Sequence, residues 1–345
     1  MNLDRVQFYN LGAFEEIPGI GEHGMVRVPA AIRHRLNERA RFIGKESIGV
    51  EIRFVTDAPN IDLYLSAQKE HGSVSAAVRV YKGNFLVKTL ELQSGATTFH
   101  RLVPPPAFEK GNEKLMRDGG YAPNVWRVIC GRAPIAVHGI DTQGHDIRPP
   151  RQDELPPVNW LAYGSSITNA DLDGYVHVAA AKLGVQVQNK GFSGACHIEK
   201  ELVDYLLDDC ASDVMTCELG VNMRGAYTPE VFEQRASYLI NRLVKLKKPA
   251  LIITTFPNSR TDGYALGPDE VTAKEAAFNE ILIRLVRQAD SPTLELMHGY
   301  DVLSEVNGLS ADLLHPTAYG HAVMGMNLAA RLKPFLQAHR LLPQQ

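Results

Sequence analysis

The spacing of apolar residues changes once along the chain, and the change divides it. Up to about residue 150 the apolar positions recur every second residue in short runs. In the run 48–55, Ile48, Val50, Ile52 and Phe54 share one face of a strand, while Glu51 and Arg53 lie on the other. Thr56-Asp57-Ala58-Pro59-Asn60 reads as a turn, and the alternation resumes over 61–65. Runs at 74–81 and 85–92 flank Lys82-Gly83-Asn84, a hairpin connection, and 25–28, 125–130 and 135–140 are further strand candidates. Many short strands with almost no helical period predict an antiparallel β-sandwich, with a jelly roll as the preferred topology.

Residues 141–159 interrupt this pattern with proline, glycine and charge, stiffened by Pro149-Pro150 and Pro156-Pro157. Beyond them the period becomes helical. Helices are predicted over 175–183, 200–207, 229–246, 268–289 and 317–338. They alternate with apolar strands beginning at Trp160 and over 185–188, 214–219, 250–256 and 293–297. Pro229 and Pro268 stand at first helical positions. Strand–helix alternation predicts a parallel sheet covered on both faces, a three-layer α/β/α domain. The expected domains are a β-sandwich at 1–150 and an α/β domain at 155–345.

Composition narrows the partners. The chain has 345 residues, 45% hydrophobic and 22% charged, with a net charge of -3, so no general attraction to nucleic acid or anionic membrane is expected. Twelve histidines contain no H-E-x-x-H spacing, and the four cysteines, Cys130, Cys196, Cys210 and Cys217, contain no C-x-x-C. They read as reduced core residues, and no metal site is expected. No signal peptide is visible at the N-terminus and no apolar run is long enough to span a bilayer, which makes the cytoplasm the expected address. Oligomeric state stays open, a homo-oligomer included. Gly19-Ile20-Gly21-Glu22-His23-Gly24 matches the dinucleotide fingerprint G-x-G-x-x-G. That fingerprint needs a helix start after it; here a strand over 25–28 and Pro29 follow, so no nucleotide cofactor is expected.

Candidate chemistry gathers at the strand ends. Trp160-Leu161-Ala162-Tyr163 leads into Gly164-Ser165-Ser166-Ile167-Thr168, a buried strand breaking into small hydroxyl residues. Ligands of open α/β sheets sit beyond the carboxyl ends of the strands. The loops Gly191-Phe192-Ser193-Gly194-Ala195, Gly220-Val221-Asn222 and Asp312-Leu313-Leu314-His315 should therefore converge on Ser166. A serine nucleophile needs a base, which His315 can supply, and Asp312 can orient the imidazole. Ser166 N–H, Gly194 N–H and the Asn222 side-chain amide are the candidate oxyanion donors. Competing readings remain. Ser165, Ser166 and Thr168 could cap a helix, and Asp312 could do so near Thr317. Ser193 is a rival nucleophile, one glycine short of the G-x-S-x-G elbow. His321 reads as a packed or surface residue, and His197 and His298 have no assigned chemistry. The loop 257–267 is a candidate lid.

These blocks resemble those of the SGNH (GDSL) hydrolase superfamily: Gly164-Ser165-Ser166, Gly194, Gly220-Val221-Asn222 and Asp312-x-x-His315, in order over 158–338. The resemblance implies a flavodoxin-like sheet and a Ser-His-Asp esterase without metal or organic cofactor. It places the nucleophile on Ser166, the oxyanion residues on Gly194 and Asn222, and the other triad members on Asp312 and His315. The sandwich resembles the N-terminal jelly roll of two-domain carbohydrate esterases of that superfamily. Two positions depart from the pattern: Ser165 replaces the aspartate of G-D-S, and Met223 follows Asn222 where aspartate is common.

The expected function is hydrolysis of O-acyl esters, above all O-acetyl esters of carbohydrates or other small molecules, through a Ser-His-Asp triad and an acyl-enzyme. The alternative is an acyltransferase passing the same acyl group to a sugar or alcohol. A carbohydrate-binding protein with a vestigial hydrolase domain is a third reading, against which the intact Ser166, His315 and Asp312 argue.

Overall fold

A computed structural model of the chain describes residues 3–69, 76–117, 120–261, 267 and 269–344. Its contacts divide the chain into two compact units. One comprises Met1–Ala30, Gly44–Pro157 and Gly184–Gln188, the other Ala31–Ile43, Val158–Leu183 and Asn189–Gln345.

The first unit is all β. Its strands are β1 (Gln7–Tyr9), β2 (Ala13–Ile17), β3 (Gly21–Val26), β4 (Glu51–Thr56), β5 (Ile61–Ala67), β6 (Ala77–Lys82), β7 (Phe85–Glu91), β8 (Thr97–Leu102), β9 (Val125–Cys130), β10 (Ile135–Asp141) and β11 (Ile147–Arg148). One sheet runs β1-β4-β9-β6-β7 with β11 also on β4, and the other runs β2-β3-β10-β5-β8. The pairings within both sheets are antiparallel. With β3 to β10 as the eight core strands, one sheet reads first-eighth-third-sixth and the other second-seventh-fourth-fifth, which is the jelly-roll order. The inner faces bury Val50, Ile52, Phe54, Leu63, Leu65 and Trp126.

The polar face of β4 is buried as well. Glu51 holds Arg53 at 2.7 Å and Arg127 at 2.8 Å, and Arg53 also donates to Tyr121 at 2.9 Å. Burial acts to raise the Glu51 pKa, but the two guanidinium charges outweigh it and hold the carboxyl down at about 2. Alternation therefore marked which residues share a face, not which face meets water. Gly21–Val26 is a strand paired antiparallel with β2, as its setting in the sequence predicts for the G-x-G-x-x-G segment, and the next helical turn, Ala30–Arg33, begins only after Pro29. The predicted run 74–81 begins outside the described residues. Alternation does not reveal β1, β2, β8 or β11: β1 and β11 are only three and two residues long, β2 places two glutamates side by side, and β8 is a mostly exposed edge strand.

The second unit holds the sheet β12 (Asn159–Gly164), β13 (Gln186–Gly191, with Asn189–Gly191 in this unit), β14 (Val214–Glu218), β15 (Ala250–Ile253) and β16 (Leu294–Met297). Its order is β13-β12-β14-β15-β16, second-first-third-fourth-fifth along the chain, with parallel pairing from β12 through β16. This is the flavodoxin order, and its reversal point lies at β12. The main helices are Tyr175–Leu183, Pro229–Leu246, Glu270–Ala289 and Ala318–Ala338. The last three are capped by side chains: Thr228 accepts from Val231 N–H, Asp269 from Thr272 N–H and Thr317 from Gly320 N–H. Pro268, expected to open the third of these helices, lies outside the described residues. The strand predicted over 250–256 stops at Ile253, and Asn279 Oδ1 accepts from both Thr255 N–H and Thr255 Oγ1–H at 3.1 and 2.8 Å. The segment Ala31–Ile43 precedes most of the sandwich in sequence, yet its contacts place it in this unit. Asn37 gives its N–H and its Nδ2 to Glu199 at 2.7 and 2.8 Å, and Arg39 Nε donates to Ser193 O at 2.7 Å.

Candidate active site

The site begins where β12 ends. Gly164 is required sterically, since a Cβ there would stand 2.2 Å from Thr168 Oγ1 and 2.7 Å from Glu218 Oε2. The chain then closes one turn, with Asn169 N–H on Ser165 O at 2.9 Å. Ser165 points inward and is fully buried. Its N–H donates to Glu218 Oε2 at 2.7 Å, and its Oγ accepts from Ile167 N–H at 3.2 Å. With Ser165 turned in, Ser166 is half-buried and its Oγ lies 2.8 Å from His315 Nε2.

His315 comes from the segment before the last helix. Asp312 shapes that segment: its Oδ1 accepts from Ser310 Oγ at 2.7 Å, Leu314 N–H at 3.0 Å and His315 N–H at 2.9 Å. Leu313, between them, sits at a left-handed φ of 51°. Asp312 Oδ2 is left for His315 Nδ1, at 2.7 Å. Burial tends to raise the Asp312 pKa, but the hydrogen bonds from His315, Ser310 and Leu314 prevail and hold the carboxyl well below the usual carboxylate range. An ionised Asp312 can only accept, so the proton sits on Nδ1 and the Nε2 lone pair faces the Ser166 hydroxyl. The helix after it is capped by Thr317, so Asp312 caps its own turn instead.

The remaining predicted residues lie on neighbouring loops. Phe192 N–H reaches Gly164 O at 2.7 Å and Asn169 Nδ2 donates to Ser193 Oγ at 2.9 Å, which ties the loop after β13 to the serine turn. Gly194 on that loop has φ 68°, a conformation that favours glycine. Asn222 Oδ1 accepts from Cys196 N–H at 3.1 Å, which engages the amide oxygen and leaves Nδ2 as its donor group. Ser193 is buried and its hydroxyl meets the neutral Asn169 amide, with no histidine bonded to it among the described residues. Met223, where aspartate is common, is fully buried. His321 is packed: it stacks on Tyr175 at an interplanar 5°, and burial, helped by His315, lowers its pKa to about 4. His197 Nδ1 lies 3.2 Å from Tyr227 OH, and His298 stands at the start of the short helix Gly299–Val302. Of the candidate lid, 257–261 and 267 are described and the rest lies outside the described residues.

Two residues at the site escaped prediction. Glu218 closes the apolar run of β14, and its signal was that single acidic residue at a buried strand end. Arg39 lies against Gly194, where a Cβ would come within 2.5 Å of its Nε; it lies too far away in sequence for any motif to connect them. Among the described residues no three histidine, cysteine, aspartate or glutamate side chains are grouped so as to hold a metal ion. No described helix is long and apolar enough to cross a membrane.

Residues 162–323 match the GDSL-like lipase/acylhydrolase family, a span that contains Ser166, Gly194, Asn222, Asp312 and His315. No curated protein matches the sequence. Among solved structures, a salicylyl-acyltransferase from a tetracycline biosynthetic pathway superposes with a TM-score of 0.77 at 15% identity, covering 99% of this chain and 96% of that one. A Bacteroides ovatus protein described as a GDSL-like lipase gives 0.70 at 16% identity, over 97% of both chains. A family two carbohydrate esterase from Clostridium thermocellum, in complex with cellohexaose, gives 0.59 at 12% identity, over 84% of this chain and 93% of that one. At these identities the likeness is one of fold.

Proposed function

Because this chain carries a GDSL-like lipase/acylhydrolase domain at 162–323, we propose that it is a serine esterase with Ser166 as nucleophile, His315 as base and Asp312 as the orienting carboxylate. The observation that carries this reading is the unbroken chain of contacts Ser166 Oγ–His315 Nε2 at 2.8 Å and His315 Nδ1–Asp312 Oδ2 at 2.7 Å. Ser166 Oγ attacks the ester carbonyl as its proton passes to His315 Nε2. Asp312 stabilises the imidazolium, and Ser166 N–H, Gly194 N–H and Asn222 Nδ2 receive the oxyanion. The imidazolium then gives its proton to the departing alcohol. Water, deprotonated by His315, attacks the acyl-enzyme, and the imidazolium returns that proton to Ser166 Oγ as the acid leaves.

The substrate class is an O-acyl ester, O-acetyl above all, of a carbohydrate or another small molecule. Its support is likeness in fold, the family two carbohydrate esterase among the similar structures. A second reading, acyl transfer to a sugar or alcohol, is favoured by the salicylyl-acyltransferase, whose fold matches 99% of this chain. Hydrolysis is preferred because His315 and Asp312 are 44% and 50% exposed, open to the water that a transferase must exclude. Turnover of p-nitrophenyl acetate, with and without a sugar or alcohol acceptor, separates the two. Acid release unaffected by acceptor supports the esterase; a faster reaction yielding the acylated acceptor supports the transferase; no turnover with any acyl ester refutes both.

A further inference from the structure

Glu218 is a buried carboxyl that the scheme above leaves without a part. It lies at the end of β14, is 1% exposed and points at the serine turn. Its Oε2 accepts from Ser165 N–H at 2.7 Å and from Thr168 Oγ1 at 3.3 Å, and Thr168 Oγ1 is in turn 2.8 Å from Tyr175 OH. The missing side chain of Gly164 makes room for this carboxylate, because a Cβ there would stand 2.7 Å from Oε2. Glu218 Oε1 is buried with no hydrogen-bond partner among the described residues. A side chain so placed is costly to leave half-satisfied. The serine block also departs here from G-D-S: Ser165 stands where the motif has its aspartate, so the turn carries no acid of its own.

We propose that Glu218 is the positioning residue of the nucleophile turn, supplying from the adjacent strand the carboxyl that the motif lacks, and that its charge state tunes the oxyanion site one peptide away. The assignment rests on Ser166 being the nucleophile. Ser165 N–H, held by Oε2, belongs to the Gly164–Ser165 peptide, the neighbour of the Ser165–Ser166 peptide whose N–H is a candidate oxyanion donor. Fixing the first peptide fixes the direction of the second. A negative charge on Glu218 would oppose the negative charge that develops on the substrate oxygen, whereas the protonated carboxyl leaves the donors unopposed.

The groups facing Glu218 allow both states near neutrality. Ser165 and Thr168 contribute dipoles from the serine turn, Tyr175 comes from the helix Tyr175–Leu183, Cys196 from the loop after β13, and Arg224 from the turn after β14. The cation in this set, Arg224, is itself taken up by Glu275 and Asn258. Burial dominates, over the opposing hydrogen bonds from Ser165 and Thr168, and raises the carboxyl to about 7. Protonation of the base acts on the acidic side of the rate profile, so a decline on the alkaline side has a distinct source.

The test is the pH profile of kcat and KM on p-nitrophenyl acetate for the full chain, alongside Glu218→Gln, Glu218→Ala and Ser166→Ala. The labelling rate by a fluorophosphonate is measured in parallel. Wild type should lose about tenfold in kcat on the alkaline side of its profile, up to roughly pH 8.5, and Glu218→Gln, which cannot ionise, should show no such alkaline decline. Glu218→Ala should lower kcat and labelling about tenfold at every pH with KM within about twofold, since alignment is lost and not binding. An alkaline decline in Glu218→Gln parallel to that of wild type overturns the charge role. Wild-type kcat and labelling in Glu218→Ala overturn the positioning role. If Glu218→Ala does not fold, the near-isosteric Glu218→Gln profile decides alone. Undiminished turnover and labelling in Ser166→Ala would instead overturn the nucleophile, a failure distinguishable from either of these.

Discussion

Replacing Asp312 by asparagine separates two jobs that one side chain performs. The new amide could still accept at its oxygen from Ser310, Leu314 and His315 N–H, so the turn that presents the imidazole should survive. What changes is the other end, where an NH2 replaces Oδ2 at the 2.7 Å contact with His315 Nδ1. That NH2 cannot accept from Nδ1–H, and the imidazolium formed during catalysis loses its counter-charge. Because the pair is half-exposed, the interaction belongs between bulk water and protein interior. Two unit charges about 4 Å apart at an effective dielectric of about 40 interact by about 2 kcal/mol. That corresponds to about a 30-fold fall in kcat/KM, well short of the loss known for a fully buried triad carboxylate. The assay is p-nitrophenyl acetate hydrolysis at saturating and limiting substrate, with circular dichroism to establish the fold. His315→Ala should be far worse, about 1000-fold or more, because both proton transfers pass through it. An Asp312→Asn enzyme as inactive as His315→Ala would refute this reasoning, as would one indistinguishable from wild type.

Three further outcomes are expected. Ser166→Ala should abolish turnover and fluorophosphonate labelling while leaving the melting temperature within a few degrees, whereas Ser193→Ala should keep both; the reverse pattern would transfer the nucleophile to Ser193. Gly164→Ala should destabilise the protein by about 1–3 kcal/mol in urea unfolding, because its Cβ would stand 2.2 Å from Thr168 Oγ1, and an unchanged midpoint would show that the turn can yield. Glu218 should also leave a mark on stability. Its folded pKa of about 7 lies above the 4.5 of a free glutamate, so the stability tied to its proton is fully present below pH 4.5 and lost as pH rises through about 7. The loss amounts to about 3 kcal/mol, and Glu218→Gln should flatten that part of the curve of melting temperature against pH; a curve parallel to that of wild type would contradict it.

Much of this protein is legible in its sequence because its information is local. Period-two and period-3.6 apolar spacing separated the sandwich from the α/β unit, and the helix Pro229–Leu246 follows directly from its proline start and apolar stripe. Ser166, Gly194, Asn222, Asp312 and His315 stand out as candidates in the sequence, since strand ends in a parallel sheet are where chemistry collects and each sits in a short block of telling composition. What the tertiary structure alone decided are the relations between distant segments. The jelly-roll strand order depends on which edges meet, which alternation does not encode. The burial of Glu51 and Arg53 is set by Arg127 and Tyr121, which cover them from other parts of the chain. Arg39 reached the loop of Gly194 only by folding, across more than a hundred residues. Glu218 is the sharpest case. In sequence it is one acid at the end of an apolar strand, and only the register of β14 beside β12 sets its carboxyl beneath the serine turn. A residue's type and neighbours determine what it can do chemically, but its burial and its partner, and so its pKa, are set by whatever the rest of the chain packs around it.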